Sequence, residues 1–155
     1  MSKVLITGMS GTGKSSVLRL LGERGHRTVD TDYGPWNHWV TGADGEPDWV
    51  WREEAMAELL AGHREGALFV SGCTSNQVTF YPDFDHIVLL SAPADVILAR
   101  VAARTDNPYG RRPEERQAIL DNLAQIEPLL RKGATLEIDT RAPLEEVVRR
   151  LERLT

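Results

Sequence analysis

A chain of 155 residues, 41% hydrophobic and 26% charged, is long enough for one domain around one sizeable core. Its net charge of −5 argues against nucleic acid as a partner, because phosphate-backbone binding needs a basic footprint. The lone Cys73 excludes an internal disulfide and fits a reducing compartment, and no apolar stretch approaches the length of a membrane span. With a strand at the N-terminus in place of a signal sequence, the expectation is one cytoplasmic domain (residues 1–155). It would be a monomer or weak homodimer that engages neither nucleic acid nor membrane.

Val4-Leu5-Ile6-Thr7 is a short apolar, partly β-branched run that reads as a buried strand. It stops at Gly8, and a helical pattern runs from Lys14 to about Arg24, with Gly25 as its C-cap. Between them lies Gly8-x-x-x-x-Gly13-Lys14-Ser15, the spacing of a phosphate-binding P-loop. The residue types follow from the chemistry. Glycines let the backbone from Gly11 through Thr12, Gly13, Lys14, Ser15 and Ser16 curl around an anion, and the following helix points its positive end there. Lys14 would reach the β- and γ-phosphates, and the Ser15 hydroxyl would ligate Mg²⁺. The pattern arises by chance in about one chain in 200 of this length, and its place at a strand-to-helix junction lowers that figure.

Thr28-Val29 forms a very short strand ending in Asp30-Thr31-Asp32. Two carboxylates two residues apart point the same way if strand geometry continues, and open α/β sheets bind ligands at the carboxyl ends of their strands. The functional reading is Mg²⁺ at Asp30 and an acceptor hydroxyl at Asp32; an Asp-rich turn is the structural alternative. Residues 33–51 hold all four tryptophans, Trp36, Trp39, Trp49 and Trp51. Flat apolar surfaces with a polar N–H suit either a substrate-binding segment (33–62) that encloses an acceptor or simple packing onto the core. Trp49 and Trp51 fall at an expected helix start, where residues two apart face different sides, so at most one would line a site. Glu53 to about Gly62 reads as a helix, and Arg52 in its first turn is placed to clamp an anionic acceptor.

Ala67 to Ser71 is a second buried strand, followed by Gly72, which permits close backbone approach to a ligand, and Cys73, which reads as a small packed residue before a nucleophile. Thr74 or Ser75 would cap a short helix ending before Pro82. His86 to Ser91 is the next central strand, and Ala92-Pro93 opens a helix through Arg100 to Arg104. The turn-rich loop 104–113, with Arg104, Arg111 and Arg112 at or near its edges, is a candidate lid that brings positive charge to a transferring phosphate. Glu114 to Arg131 is helical, with Pro128 marking a kink or break. Thr135 to Thr140 is the last strand, followed by Arg141-Ala142-Pro143 and an amphipathic helix from Leu144 to Leu154. The four histidines have no metal-ligand spacing.

Alternating strands and helices, with uniformly apolar inner strands, predict a three-layer α/β fold: about five parallel strands covered by helices on both faces. Right-handed crossovers would bring the P-loop, Asp30, Asp32, Gly72 and the arginine loop to one edge.

At this point the chain resembles the shikimate kinase branch of the small P-loop kinases, with a fainter similarity to gluconate kinases. The likeness rests on the P-loop, Val29-Asp30-Thr31-Asp32, Gly45-Glu46 with Arg52 and Glu54, the strand ending at Gly72, and Glu127-Pro128-Leu129-Leu130 leading to Glu137-Ile138-Asp139-Thr140. The resemblance implies ATP and Mg²⁺, with Asp30 holding a metal-bound water, Asp32 contacting the acceptor hydroxyl and Arg52 gripping the acceptor. It also implies that Arg141 and Pro143 lie against adenine, with Arg104 or Arg100 on the other face. Two departures stand out. Ser71-Gly72-Cys73 replaces the family's three glycines, and Gln125-Ile126-Glu127 lacks the arginine that precedes its Pro-Leu pair and binds the substrate carboxylate. The kinase machinery is thus paired with an acceptor expected to differ from shikimate.

The expected reaction is transfer of the ATP γ-phosphoryl to a small-molecule acceptor, with Lys14, Mg²⁺ and a lid arginine (Arg104 or Arg111) neutralising charge and Asp32 orienting the nucleophile. Trp36, Gly72 and Cys73 complete the expected acceptor side. A nucleoside or nucleotide kinase, with a tryptophan stacking the acceptor base, is one alternative. A nucleotide-dependent switch or ATPase without a small acceptor is another.

Overall fold

The computed structural model describes residues 2–104 and 108–155. Its element order is β1 (Ser2–Thr7), α1 (Lys14–Glu23), β2 (Arg27–Asp30), β3 (Asn37–Thr41), β4 (Pro47–Trp51), α2 (Glu53–Gly62), β5 (Ala67–Ser71), a 3₁₀ helix (Gln77–Asp83), β6 (His86–Ser91), α3 (Ala94–Ala103), α4 (Pro113–Gly133), β7 (Leu136–Asp139) and α5 (Leu144–Glu152). Five strands pair in parallel in the order β2-β5-β1-β6-β7, as the run of apolar strands predicts.

The pleat sends alternate residues to opposite layers, and in the central strands both layers are apolar. Val4, Ile6, Phe69, Val88 and Leu90 pack against Val17, Leu18 and Leu21 of α1 and Val147, Val148 and Leu151 of α5. Leu5, Leu68, Val70 and Ile87 face the other way, onto Met56, Leu59 and Leu60 of α2 and onto Trp51, Phe80 and Phe84. Burying a large apolar side chain contributes about 1.5–3 kcal/mol, so these two layers carry the fold. A third cluster, Ala92, Ile97, Val101 and Ile119, joins α3 to α4 at the carboxyl end of β6.

Three local expectations are corrected. Residues 37–51 form an antiparallel hairpin, in register Asn37 with Trp51 and Trp39 with Trp49, so Trp49 and Trp51 sit on a strand and share a face. The signal was Asp44-Gly45, a turn pair between apolar runs. Gly45 has φ of 82°, its N–H donates to the Gly42 carbonyl at 3.0 Å, and the Asp44 carboxylate accepts from the Glu46 N–H at 3.0 Å. The second correction concerns Pro128, which does not break α4. Leu130 is buried just beyond it, and Arg131 bridges Glu127 at 3.0 Å and Glu137 at 2.7 Å, so packing on both sides of the proline holds the helix. Thirdly, neither Thr74 nor Ser75 caps the 3₁₀ helix, which takes in Pro82. Asn76 precedes it and clasps Trp51 instead, accepting from its N–H at 3.1 Å and donating to its carbonyl at 2.9 Å.

Candidate active site

The P-loop is shaped by what its glycines avoid. A Cβ on Gly8 would lie 2.5 Å from the Leu90 carbonyl oxygen, and Gly13 has φ of 99° as the residue that caps α1. The loop's concave side opens into a cleft of about 900 Å³ at the carboxyl ends of β1, β5 and β7. Thr12 is buried beneath it, with its hydroxyl donating back to the Met9 carbonyl at 2.8 Å.

Lys14 folds over this loop, donating to the carbonyls of Gly8 at 2.5 Å and Met9 at 3.0 Å. Burial pushes its amine below the usual lysine range, while Cys73, Asp32 and Asp30 oppose that shift. The Ser15 hydroxyl meets the Asp30 carboxylate at 3.4 Å. The strand geometry stops at Asp30, and the Asp32 N–H turns back to donate to the Asp30 carboxylate at 3.0 Å. Both carboxylates therefore face Lys14 by way of a turn. Desolvation first, and then the Asp30 charge, push the Asp32 carboxyl up, and Lys14 pulls it down.

Of the residues singled out in the sequence, Gly11, Gly13, Lys14, Ser15, Ser16, Asp32, Cys73, Arg104 and Arg141 line this cleft together. Arg104 donates to the Ser10 hydroxyl at 3.4 Å and to the Tyr109 carbonyl at 3.2 Å, and its buried Nε has no partner among the described residues. Arg141 pairs with Asp139 at 2.7 Å. Ile126, from the stretch that departs from the shikimate kinase pattern, lines the cleft as well, and so does Arg19, which no motif had marked.

Other expected site residues lie elsewhere. Arg111 donates to the Arg104 carbonyl, and Thr105-Asp106-Asn107 of the expected lid lie outside the described residues. Pro143 caps α5. Trp36 packs half-buried on the second core layer. Arg52 donates to the Pro35 carbonyl at 2.8 Å and lines a separate groove beside the hairpin with His38 and Asp48, so it does not reach the P-loop cleft. Gly72 answers to packing: a Cβ there would lie 2.4 Å from Thr31 Oγ1 and 3.0 Å from the Trp51 ring. Arg100, expected beside adenine, does line the cleft, but it is tied to Thr140 Oγ1 at 2.9 Å and to its carbonyl at 2.6 Å, and reaches the Gly11 carbonyl at 3.4 Å. It fastens the P-loop to the turn after β7.

This donor set suits a nucleotide with Mg²⁺: inward-turned backbone, a half-buried lysine, an arginine N–H without a partner among the described residues, and a hydroxyl beside a carboxylate as hard oxygen ligands. A parallel sheet with such a loop after its first strand defines a P-loop nucleotide-binding protein. Residues 4–121 match the AAA domain family model, and the chain belongs to that family. The chain is 27% identical to a shikimate kinase of Pseudomonas aeruginosa over 99% of this chain and 98% of that one. It is 26% identical to one from Psychrobacter arcticus over 88% and 79%. Among solved structures, a shikimate kinase from Acinetobacter baumannii in complex with shikimate superposes with a TM-score of 0.69 at 20% identity, covering 99% of this chain and 92% of that one. A sugar kinase from a Janibacter species gives 0.54 at 17% identity, over 99% and 94%. The chain is a shikimate kinase-like small P-loop kinase, an ATP-dependent phosphotransferase with a small-molecule hydroxyl as acceptor. Among the described residues, no helix is long and apolar enough to cross a membrane.

Proposed function

We propose that phosphoryl transfer takes place where Lys14, Ser15, Asp30 and Asp32 meet, with ATP along the P-loop and the acceptor hydroxyl at Asp32. One observation carries this reading. Two elements that begin at Lys14 and end at Asp30 bring an ammonium, a hydroxyl and two carboxylates to one end of a cleft whose other walls are basic. Ser15 and Asp30 would hold Mg²⁺, which when bound neutralises charge on the phosphate oxygens.

Lys14 supplies the cation that travels with the γ-phosphoryl, and its low-dielectric seat strengthens that effect. Asp32 orients the acceptor hydroxyl and takes its proton. Its raised pKa brings it closer to the operating pH, which favours that role. Arg104, with an unspent buried N–H, is the arginine that answers charge on the phosphate from the lid root; Arg111 acts through it, by fixing the Arg104 carbonyl. Arg141 and Pro143 bound the base end, and segment 33–62 bounds the acceptor end, where Gly72 and Cys73 form the floor and Trp36 and Arg52 brace the wall from behind. ADP release measured with a panel of small-molecule hydroxyl compounds tests this, alongside calorimetry of Mg-ATP binding. Strong stimulation by an acceptor, abolished in Asp32→Asn while Mg-ATP still binds, is the expected result. Undiminished transfer by that variant would overturn the role of Asp32.

A further inference from the structure

We propose that the phosphoryl acceptor is a ring-bearing hydroxyl compound without an anionic group, resting a flat face on the indoles of Trp39 and Trp49. This deepens the kinase reading above and depends on it.

The first argument is charge. Among the described residues, the cations lining the cleft are Lys14, Arg19, Arg100, Arg104 and Arg141, which come from the P-loop, α1, α3 and the turn after β7. All of them belong to the nucleotide half. The acceptor half contributes Asp32 and Cys73. The two basic residues of the hairpin region are turned away. Alternation along β3 puts His38 on the face opposite Asn37 and Trp39, and both His38 and Arg52, which donates to the Pro35 carbonyl, line the separate groove beside the hairpin. A carboxylate on the acceptor would lose water beside Asp32 and Asp30 with no cation to replace it, a desolvation cost compounded by like-charge repulsion.

The second argument is shape. Trp51 is fully buried, its indole N–H donates to Thr31 Oγ1 at 3.0 Å, and its ring fills the space that a Cβ on Gly72 would need. The next residues along each chain, Asp32 and Cys73, line the cleft. Trp49 lies on the same hairpin face as Trp51, roughly 7 Å further out, and Trp39 stands opposite it. The strand face that begins with Trp51 beneath Gly72 therefore continues to Trp49 and Trp39, which lie beyond the residues lining the cleft and form a shelf there. Its two indoles lie 5.0 Å apart at 52° and stay 66% and 46% exposed. Holding the hairpin together requires only their mutual contact; the outward faces are left for a ligand.

In the reaction this implies, the acceptor hydroxyl oxygen bonds to the γ-phosphorus as the bond to the β,γ-bridging oxygen breaks. ADP leaves with that electron pair, and the hydroxyl proton passes to Asp32 and then to water.

The test uses the full chain with Mg-ATP and reads ADP release with nucleosides and aryl glycosides, with shikimate and gluconate, and with ring-free polyols such as sorbitol. Stimulation by members of the first group alone is expected. Trp39→Ala and Trp49→Ala should each raise the KM of that acceptor about ten-fold, with Trp→Phe recovering most of the loss and the KM for Mg-ATP changed less than about two-fold. Stimulation confined to carboxylates or ring-free polyols overturns the proposal and leaves the kinase reading standing. So does a fall in melting temperature with an unchanged acceptor KM, which would make the pair a hairpin clasp only. Silence from every group with Mg-ATP binding intact also overturns it, whereas loss of Mg-ATP binding in folded protein sinks the kinase reading itself.

Discussion

The P-loop and the tryptophan hairpin lie at the same end of the sheet and are built on opposite principles. The P-loop recognises through backbone, so its requirements are local: glycines at fixed offsets, a helix behind them, one lysine. The hairpin, on the reading proposed above, would recognise through side chains whose direction depends on pairing between β3 and β4 and on a clasp from Asn76, 25 residues beyond Trp51. A phosphate site can therefore be transplanted nearly unchanged between proteins, while an acceptor site is remade with each fold's surroundings. The two departures from shikimate kinases noted in the sequence, at Cys73 and around Gln125-Ile126-Glu127, both concern the acceptor.

The sharpest way to break the comparison is at Lys14. Lys14→Ala should lower transfer by about 10³-fold or more, read as ADP release, because charge on the γ-phosphoryl loses its nearest cation. Since folding buries that amine at a cost, the melting temperature should hold or rise. Trp51→Ala should do the reverse. It removes a fully buried indole beneath the hairpin and should cost about 3–5 kcal/mol in urea unfolding. Gly72→Ala drives a methyl into Thr31 and Trp51 and should cost about 1–3 kcal/mol by the same measurement. A stability loss at Lys14 equal to that at Trp51 would erase the distinction between the two regions.

The smallest expected effect lies far from both. Glu152 on α5 accepts from Arg24 at 2.6 Å and meets His26 at 2.7 Å, and those partners, Arg24 first, hold its carboxyl below the usual range. A depressed carboxylate contributes stability above its unfolded pKa and loses it as pH falls through the folded one. Glu152→Gln should therefore cost less than about 1 kcal/mol at neutral pH, and nothing once the wild-type carboxyl is protonated. Melting temperatures of both proteins from pH 7 downward check this, and a gap that widens on acidification would contradict it.

The histidines show how far residue patterns reach. Their spacing excluded a metal site but could not say what holds them. His63 is buried, with Nε2 facing the Gly66 carbonyl at 3.0 Å and Nδ1 facing Arg27 at 3.2 Å, so Nε2 carries the proton and Nδ1 accepts from the guanidinium. Arg52 marks the same boundary from the functional side. Its position at a helix start was legible, and its commitment to Pro35 was not, because the partner carbonyl is presented by a turn that only the folded hairpin creates.

By itself, the amino-acid sequence determined the parallel sheet, the phosphate loop and the carboxylates at the end of β2, because apolar runs and glycine spacing act within a few residues. Tertiary structure alone decided that Pro128 stays inside a helix, that Asn76 clasps Trp51, and which arginines reach the cleft. Those outcomes depend on groups far apart in the chain competing for the same space and the same hydrogen bonds, and no local window contains both competitors.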